Sequence, residues 1–372
     1  MRVVEDWGGL GGRIEYPSEV AYCNMPMLVR VTQAEEYVGA AVTIVVNGEE
    51  YSETRELRDG ACVFDIARYA QMAFVGKSLE YDLGEYEDKA QTAPTAQEVE
   101  LFVRMTRLSG ASEEAVNSVI CVVNGRLAIG QSSGGTRRRK WFVNLPQSFD
   151  FLSTPATELY LDSDDEVLPI SKNETYSGYG QVYVNLSPSY DIPEPSHKAY
   201  LRAENAPIVQ GSAVGVGTTD YELVVDRCTS GVYLRWLDRL GQWCYYLFRV
   251  TGQTYNTSVV QEWHDGIVRD EMVADGGVFL SSGQHHQQMS VAETLSLGAK
   301  LVDAEIFDYL LSLTSASLVD VMVNKERYLD GADEVAEWER VQVVGGSYAR
   351  TAAPLQDFIV TIKRRAQKGQ ML

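Results

Sequence analysis

Cysteine and histidine are scarce in this 372-residue chain, which has five of the first and four of the second. Cys23, Cys62, Cys121, Cys228 and Cys244 are odd in number and widely spread. No two of them form a C-x-x-C pair, so a zinc knuckle, a redox pair and a disulfide framework are all unsupported, and buried thiols are the expectation. His197, His264, His285 and His286 show neither the H-x-x-x-H nor the H-E-x-x-H spacing that sets two ligands on one helix face. The pair His285-His286 stands in a run of glutamines, read as a solvated polar loop.

Basic charge is also short. Against 52 acidic residues there are 32 basic ones, and the net charge of −20 repels a phosphate backbone, which removes nucleic acid as a main partner. No apolar run approaches the ~20 residues of a membrane-spanning helix. The first residues, Met1-Arg2-Val3-Val4-Glu5-Asp6-Trp7, carry no apolar signal region. With so few cysteines, the expectation is folding in a reducing cytoplasm, with no signal peptide, transmembrane segment or membrane partner.

Several short motifs fail on context. Gly130-Gln131-Ser132-Ser133-Gly134 matches G-x-S-x-G, but a nucleophile elbow must lead into a helix, and Gly135-Thr136-Arg137-Arg138-Arg139-Lys140 follows instead. Asp162-Ser163-Asp164-Asp165-Glu166 gathers carboxylates without the glycine and the distant glutamate of a calcium loop, and reads as a solvated acidic turn. Gly215-Val216-Gly217-Thr218-Thr219-Asp220 has Asp220 where a dinucleotide fingerprint needs its last glycine. Nothing selects a pair of glycosidase carboxylates. The expectation is a protein that is not an enzyme, with no cofactor and no metal.

What the chain does have is β-strand signal. At 45% hydrophobic residues it buries proper cores, and its length predicts two or three domains. Val42-Thr43-Ile44-Val45-Val46 runs into Asn47-Gly48, a dipeptide suited to a tight hairpin, and Val119-Ile120-Cys121-Val122-Val123 runs into Asn124-Gly125, read as a second one. Ile66, Tyr69, Ala70, Ala73 and Phe74 recur at helical spacing between a capping Asp65 and a terminating Gly76. The acidic stretch from Glu80 to Glu100 reads as a loop.

The clearest local feature is a hairpin over 231–248, in which Val232, Tyr233, Leu234, Trp236, Trp243, Cys244, Tyr245, Tyr246, Leu247 and Phe248 flank a short polar turn. Ile306, Leu310 and Leu313 predict a helix capped by Asp303, followed by strands at 318–323, 338–344 and 358–362. The fold class expected is mainly β with an α+β C-terminal part, in β-sandwich-like domains with a few short helices. The domains are placed at 1–155, a β-sandwich with one short helix, at 156–290, a β-rich unit holding the 231–248 hairpin, and at 291–372, an α+β subdomain. Prolines at 155, 169, 188, 193 and 195 punctuate the first boundary region.

Two basic segments stand out from the acidic background. Arg137, Arg138, Arg139 and Lys140 precede Trp141 and Phe142, and Lys363, Arg364 and Arg365 open a basic tail. In so acidic a chain these are candidates for contact with an acidic face of the same protein or of a neighbour.

The order of several segments resembles tail-associated, baseplate- or tail-tip-like virion proteins of tailed phages and prophages of gut bacteria. The resemblance is carried by Val42-Thr43-Ile44-Val45-Val46 with Phe64-Asp65-Ile66-Ala67-Arg68, by Lys140-Trp141-Phe142-Val143-Asn144-Leu145-Pro146, by the hairpin beginning Gly231-Val232-Tyr233-Leu234-Arg235-Trp236, and by 310–317 leading to Trp338 and Gly345-Gly346-Ser347-Tyr348. It implies a non-enzymatic component made in the host cytoplasm and built into a virion, whose partners are copies of itself or other tail proteins. Two alternatives stand beside it. One is a carbohydrate- or receptor-binding module that stacks a host surface glycan on Tyr176, Tyr179, Tyr183 and Tyr190. The other is a glycan or cell-wall hydrolase with paired carboxylates.

Overall fold

From Ala40 to Val46 every second side chain is buried, and Val99, Leu101, Val103 and Met105 repeat the pattern, which turns one face of a strand to a core. The computed structural model describes residues 1–7, 12–32, 34–77, 79, 90–126, 135–153, 158–163, 167–170, 180–185, 198–204, 219–264, 271–272, 278–279, 284–333, 335–344, 348–365 and 367–368. The protein is mainly β with a few short helices, as the sequence predicts.

The N-terminal part is a sandwich. A four-stranded sheet runs in the order Arg2–Trp7, Gly12–Tyr16, Leu28–Thr32, Cys62–Asp65. A five-stranded sheet runs Val20–Tyr22, Ser112–Val123, Ala96–Arg107, Tyr37–Val46, Glu49–Glu56. Ile14, Val29, Val31 and Phe64 of the first share one core with Val42, Ile44, Leu101, Val103 and Ile120 of the second. Asn47 and Gly48 make the expected hairpin, with φ of 53° and 82°, the left-handed values that tight turn demands. The short helix Ala67–Ala70 continues as a 3-10 turn over Gln71–Phe74; the Asp65 carboxylate accepts the Ala67 N–H and also that of Met27, tying the helix start to the neighbouring strand.

Two sequence expectations fail in this part. Of the stretch 80–100 read as loop, residues 90–92 form the strand Ala90–Thr92, paired with Gly180–Asn185, and residues 96–100 belong to the strand Ala96–Arg107, because their cross-strand partners at 119–123 make a ladder of them. Asn124-Gly125 is not at the tip of a hairpin: Ser112–Val123 pairs antiparallel with Ala96–Arg107 and parallel with Val20–Tyr22. Gly125 instead lies against the turn at 239–241, where a Cβ on it would stand 2.5 Å from the Leu240 carbonyl carbon. Glycine is needed there for close approach, not for a turn.

A five-stranded sheet then runs Gly135–Phe142, Thr219–Asp226, Lys198–Glu204, Glu158–Ser163, Val167–Ile170, and a three-stranded one Ser148–Ser153, Gly180–Asn185, Ala90–Thr92. The C-terminal sheet has the order Trp338–Arg340, Leu318–Met322, Val232–Leu237, Trp243–His264, Gln284–Val302, Gln356–Lys363, Gln342–Val344. Its two end strands are separated in the chain by Val341 alone, whose N–H donates to the Val319 carbonyl at 2.9 Å, so the sheet curls round until its ends meet. The 231–248 hairpin is formed as expected, Val232–Leu237 against the start of Trp243–His264, with Trp236 and Phe248 fully buried. Residue 290 lies inside Gln284–Val302, whose partner strands come from both sides of that position in the chain.

Helix Ala304–Leu311 is capped by Asp303, whose carboxylate accepts the Ile306 N–H at 2.9 Å, and it buries Ile306, Phe307, Tyr309 and Leu310 in the C-terminal core. The Tyr309 hydroxyl accepts the Tyr245 N–H at 2.7 Å and donates to the Tyr245 carbonyl at 3.0 Å. A side chain thus satisfies both backbone groups of a strand residue, before Gln284–Val302 takes over the pairing at Arg249. In the same sheet Arg235 and Asp320, each 2% exposed, meet at 2.9 Å. The guanidinium lies 4.7 Å from the Trp243 ring centre and 4.4 Å from that of Trp338. Arg340 donates to the other carboxylate oxygen of Asp320.

Candidate functional site

Strand Gly135–Phe142 carries the basic segment, and each of its cations has a partner within the chain. Lys140 reaches Asp226 at 2.9 Å, on the strand paired to its own. Arg138 reaches Asp303 at 2.8 Å and Glu222 at 3.8 Å, while its N–H donates to Glu305 at 2.6 Å. The Arg139 guanidinium lies 4.0 Å from the Tyr309 ring centre, and Arg137 donates to Gln242. Trp141 and Phe142 are buried, Phe142 edge-on to Tyr233 and Tyr246. The carboxylate partners of this basic segment, Asp226, Asp303 and Glu222, lie in the same chain. It is a joint between the middle sheet and the C-terminal core.

A second joint adjoins it at the turn 238–242. Asp238 accepts the Leu240 and Gln242 N–H groups, and burial pushes its carboxyl above the usual range against the pull of those amides. Asp150 accepts the Trp243 N–H at 2.8 Å, and Arg126 of the N-terminal part donates its N–H to the Arg239 carbonyl.

In the tail, Arg364 pairs with Glu293 at 3.1 Å and Glu339 at 2.5 Å, whereas Lys363 and Arg365 are exposed. Tyr176, Tyr179 and Tyr190 lie outside the described residues. Tyr183 falls in the central strand Gly180–Asn185, opposite Asp150 on one side and Gln91 on the other. His285 and His286, expected in a loop, are in the strand Gln284–Val302, opposite Trp263 and Glu262. The long pairing of Trp243–His264 with Gln284–Val302 draws them into a ladder that local composition does not reveal. His197 and the motifs 130–134, 164–166 and 215–218 lie outside the described residues.

A half-open cavity of about 280 Å³ has an apolar floor of Val232, Leu295, Val321 and Met322. Its cations are each engaged: Lys325 with Glu326 at 2.8 Å, Arg327 with Asp333 at 2.6 Å, and Arg364 as above. Glu326 is the carboxylate among its lining residues, which include no histidine. Among the described residues, no group of three or more His, Cys, Asp or Glu could hold a metal ion, and no helix is long and apolar enough to cross a membrane. All five cysteines are free, with Cys23, Cys121 and Cys244 buried and Cys228 exposed.

The most exposed regular structure is in the long strand Trp243–His264. Its first six residues pair with Val232–Leu237 on one edge. From Arg249 onward, among the described residues, it pairs with Gln284–Val302 alone, so its other edge is open. Residues 249–257 are exposed on both faces except at the half-buried Gly252, and Tyr255 is 61% exposed. Residues 250–261 contain no charged residue and no proline, in a chain that is 23% charged. Sequence reasoning missed this strand, yet the charge-free run was visible in it.

No protein-family model matches the chain, and no curated protein matches it. Among solved structures, the chain is similar to extracellular domains 3–5 of Drosophila OTK, with 9% identity over 76% of this chain and 90% of that one, at a TM-score of 0.16. It is similar to the I-band fragment I67–I69 from titin, with 10% identity over 76% and 93% of the two chains, also at 0.16. A protein of unknown function from Porphyromonas gingivalis W83 has 9% identity over 60% and 98%, at 0.15. Scores so low carry neither fold nor function across.

Proposed function

We propose that this chain is a non-enzymatic structural protein that assembles, through strand surfaces, with copies of itself or with other proteins of a phage tail or baseplate-like complex. The observation that carries the assembly reading is the strand edge at 249–257, open among the described residues, exposed except at the half-buried Gly252 and without charge from Val250 to Thr257. Soluble β-proteins shield such edges with lysines, prolines or a covering element, because unpaired N–H and C=O groups recruit another strand. An edge open among the described residues of an acidic chain is a place for another strand to add. The virion context rests on the resemblance of the segments named above, and it fits a β-rich chain in which the cavity over Val232 and Leu295 brings no convergent set of reactive groups together among the described residues. Mass spectrometry of purified virions, with affinity capture of the tagged chain from producing cells, tests it. Recovery of the chain in virions together with tail proteins is the expected result; absence from virions and capture of no tail protein would refute the reading.

A further inference from the structure

We infer that the strand added at this edge is that of a second copy of the chain, paired antiparallel along residues 249–262 about a two-fold axis. The inference rests on the assembly reading above and names its first contact.

Charge selects the partner. Two copies at −20 each repel one another over most of their surfaces, so they approach best where carboxylates are absent. Residues 250–261 form such a stretch along the strand, and the Glu293 carboxylate opposite Tyr255 is paired with Arg364 at 3.1 Å. A basic partner would be met by acidic residues along this strand, and there are none between 250 and 261. Charge also selects the direction. The neutral run is bracketed by the cation Arg249 and the anion Glu262. Antiparallel alignment brings the Arg249 end of one strand to the Glu262 end of the other, twice over; parallel alignment sets like charges together at both ends. A two-fold contact needs the same patch on both copies, and one strand edge meeting itself provides that.

The strand chemistry agrees. Thr251, Thr254, Tyr255 and Thr257 favour extended backbone, and Thr251, donating to the Ser296 carbonyl, and Gln253, donating to Glu293, tie the strand to its neighbour within the chain. The nine residues 249–257 span about 30 Å of edge.

Light scattering on the full chain across a dilution series is the test. Wild type is expected to form a dimer that dissociates on dilution. Arg249→Glu and Glu262→Arg each weaken it about tenfold by placing like charges at both ends, and the double reversal restores it. Thr254→Lys, which sets a charge on an exposed position, also weakens it, and circular dichroism and thermal unfolding of each variant show that the fold persists. A wild-type chain that stays monomeric while still capturing tail proteins overturns the second copy as partner and leaves the assembly reading standing. A dimer indifferent to all these substitutions overturns it too, by placing the interface elsewhere. A monomer that captures no tail protein refutes both.

Discussion

Removing the carboxylate of Asp320 strands the Arg235 guanidinium in the protein interior. Both groups are 2% exposed, and their 2.9 Å contact is the charge compensation that makes burial of the arginine tolerable. The faces of Trp243 and Trp338, 4.7 and 4.4 Å away, add about 0.5–2 kcal/mol each to holding the cation, and they remain in the variant. Loss of one partner of such a pair costs about 3–5 kcal/mol, so Asp320→Ala is expected to destabilise by that amount. Arg340, the second partner of Asp320, is 46% exposed, and Arg340→Ala is expected to cost under about 1 kcal/mol. The combined change Arg235→Met with Asp320→Leu removes both charges and is expected to recover most of the loss. Urea unfolding followed by tryptophan fluorescence is the assay, since Trp236, Trp243 and Trp338 all belong to this sheet or its core. An Asp320→Ala protein within about 1 kcal/mol of wild type would refute the reasoning.

Tyr309→Phe removes the partner of both Tyr245 backbone groups and is expected to cost about 2–4 kcal/mol, measured by chemical denaturation; a Tyr309→Phe chain as stable as wild type would mean that water replaces the hydroxyl. Gly241→Ala sets a Cβ 2.5 Å from the Asn124 carbonyl oxygen at φ of +71°, whereas Gly76→Ala, at φ of +75°, meets nothing within 4 Å. Thermal unfolding should show the first costing about 2–4 kcal/mol and the second about 1, the difference being the clash at the joint. Burial raises the Tyr22 and Tyr221 phenols from 10.0 to about 12. Because the folded value is the higher one, the stability they contribute is complete below pH 10 and is lost as pH rises through about 12. Tyrosinate absorbance and circular dichroism, followed together in an alkaline titration, should therefore report their ionisation and unfolding as one event.

Strands and helices with strictly local causes were legible. Asn47-Gly48 announces a turn because both residues tolerate positive φ, and the Asp303 cap and Ile306-Leu310-Leu313 spacing announce a helix. The same dipeptide at Asn124-Gly125 misled, because there glycine answers to a backbone over a hundred residues away in the chain. His285 and His286 looked like loop for the same reason: only pairing with 262–263 makes them strand. The basic segment 137–140 read as either an internal or an external contact, and the internal partners Asp303, Glu305 and Asp226 are set by tertiary placement, which the local sequence does not show. The curl that joins the ends of the C-terminal sheet leaves no local trace.

The two strands of the long hairpin do not stop where the core ends. Trp243–His264 and Gln284–Val302 each continue inward as full members of the rolled sheet, one beside Val232–Leu237 and the other beside Gln356–Lys363. A pull along the projecting arm therefore loads those ladders lengthwise, so many hydrogen bonds must yield together instead of opening one at a time like a zip.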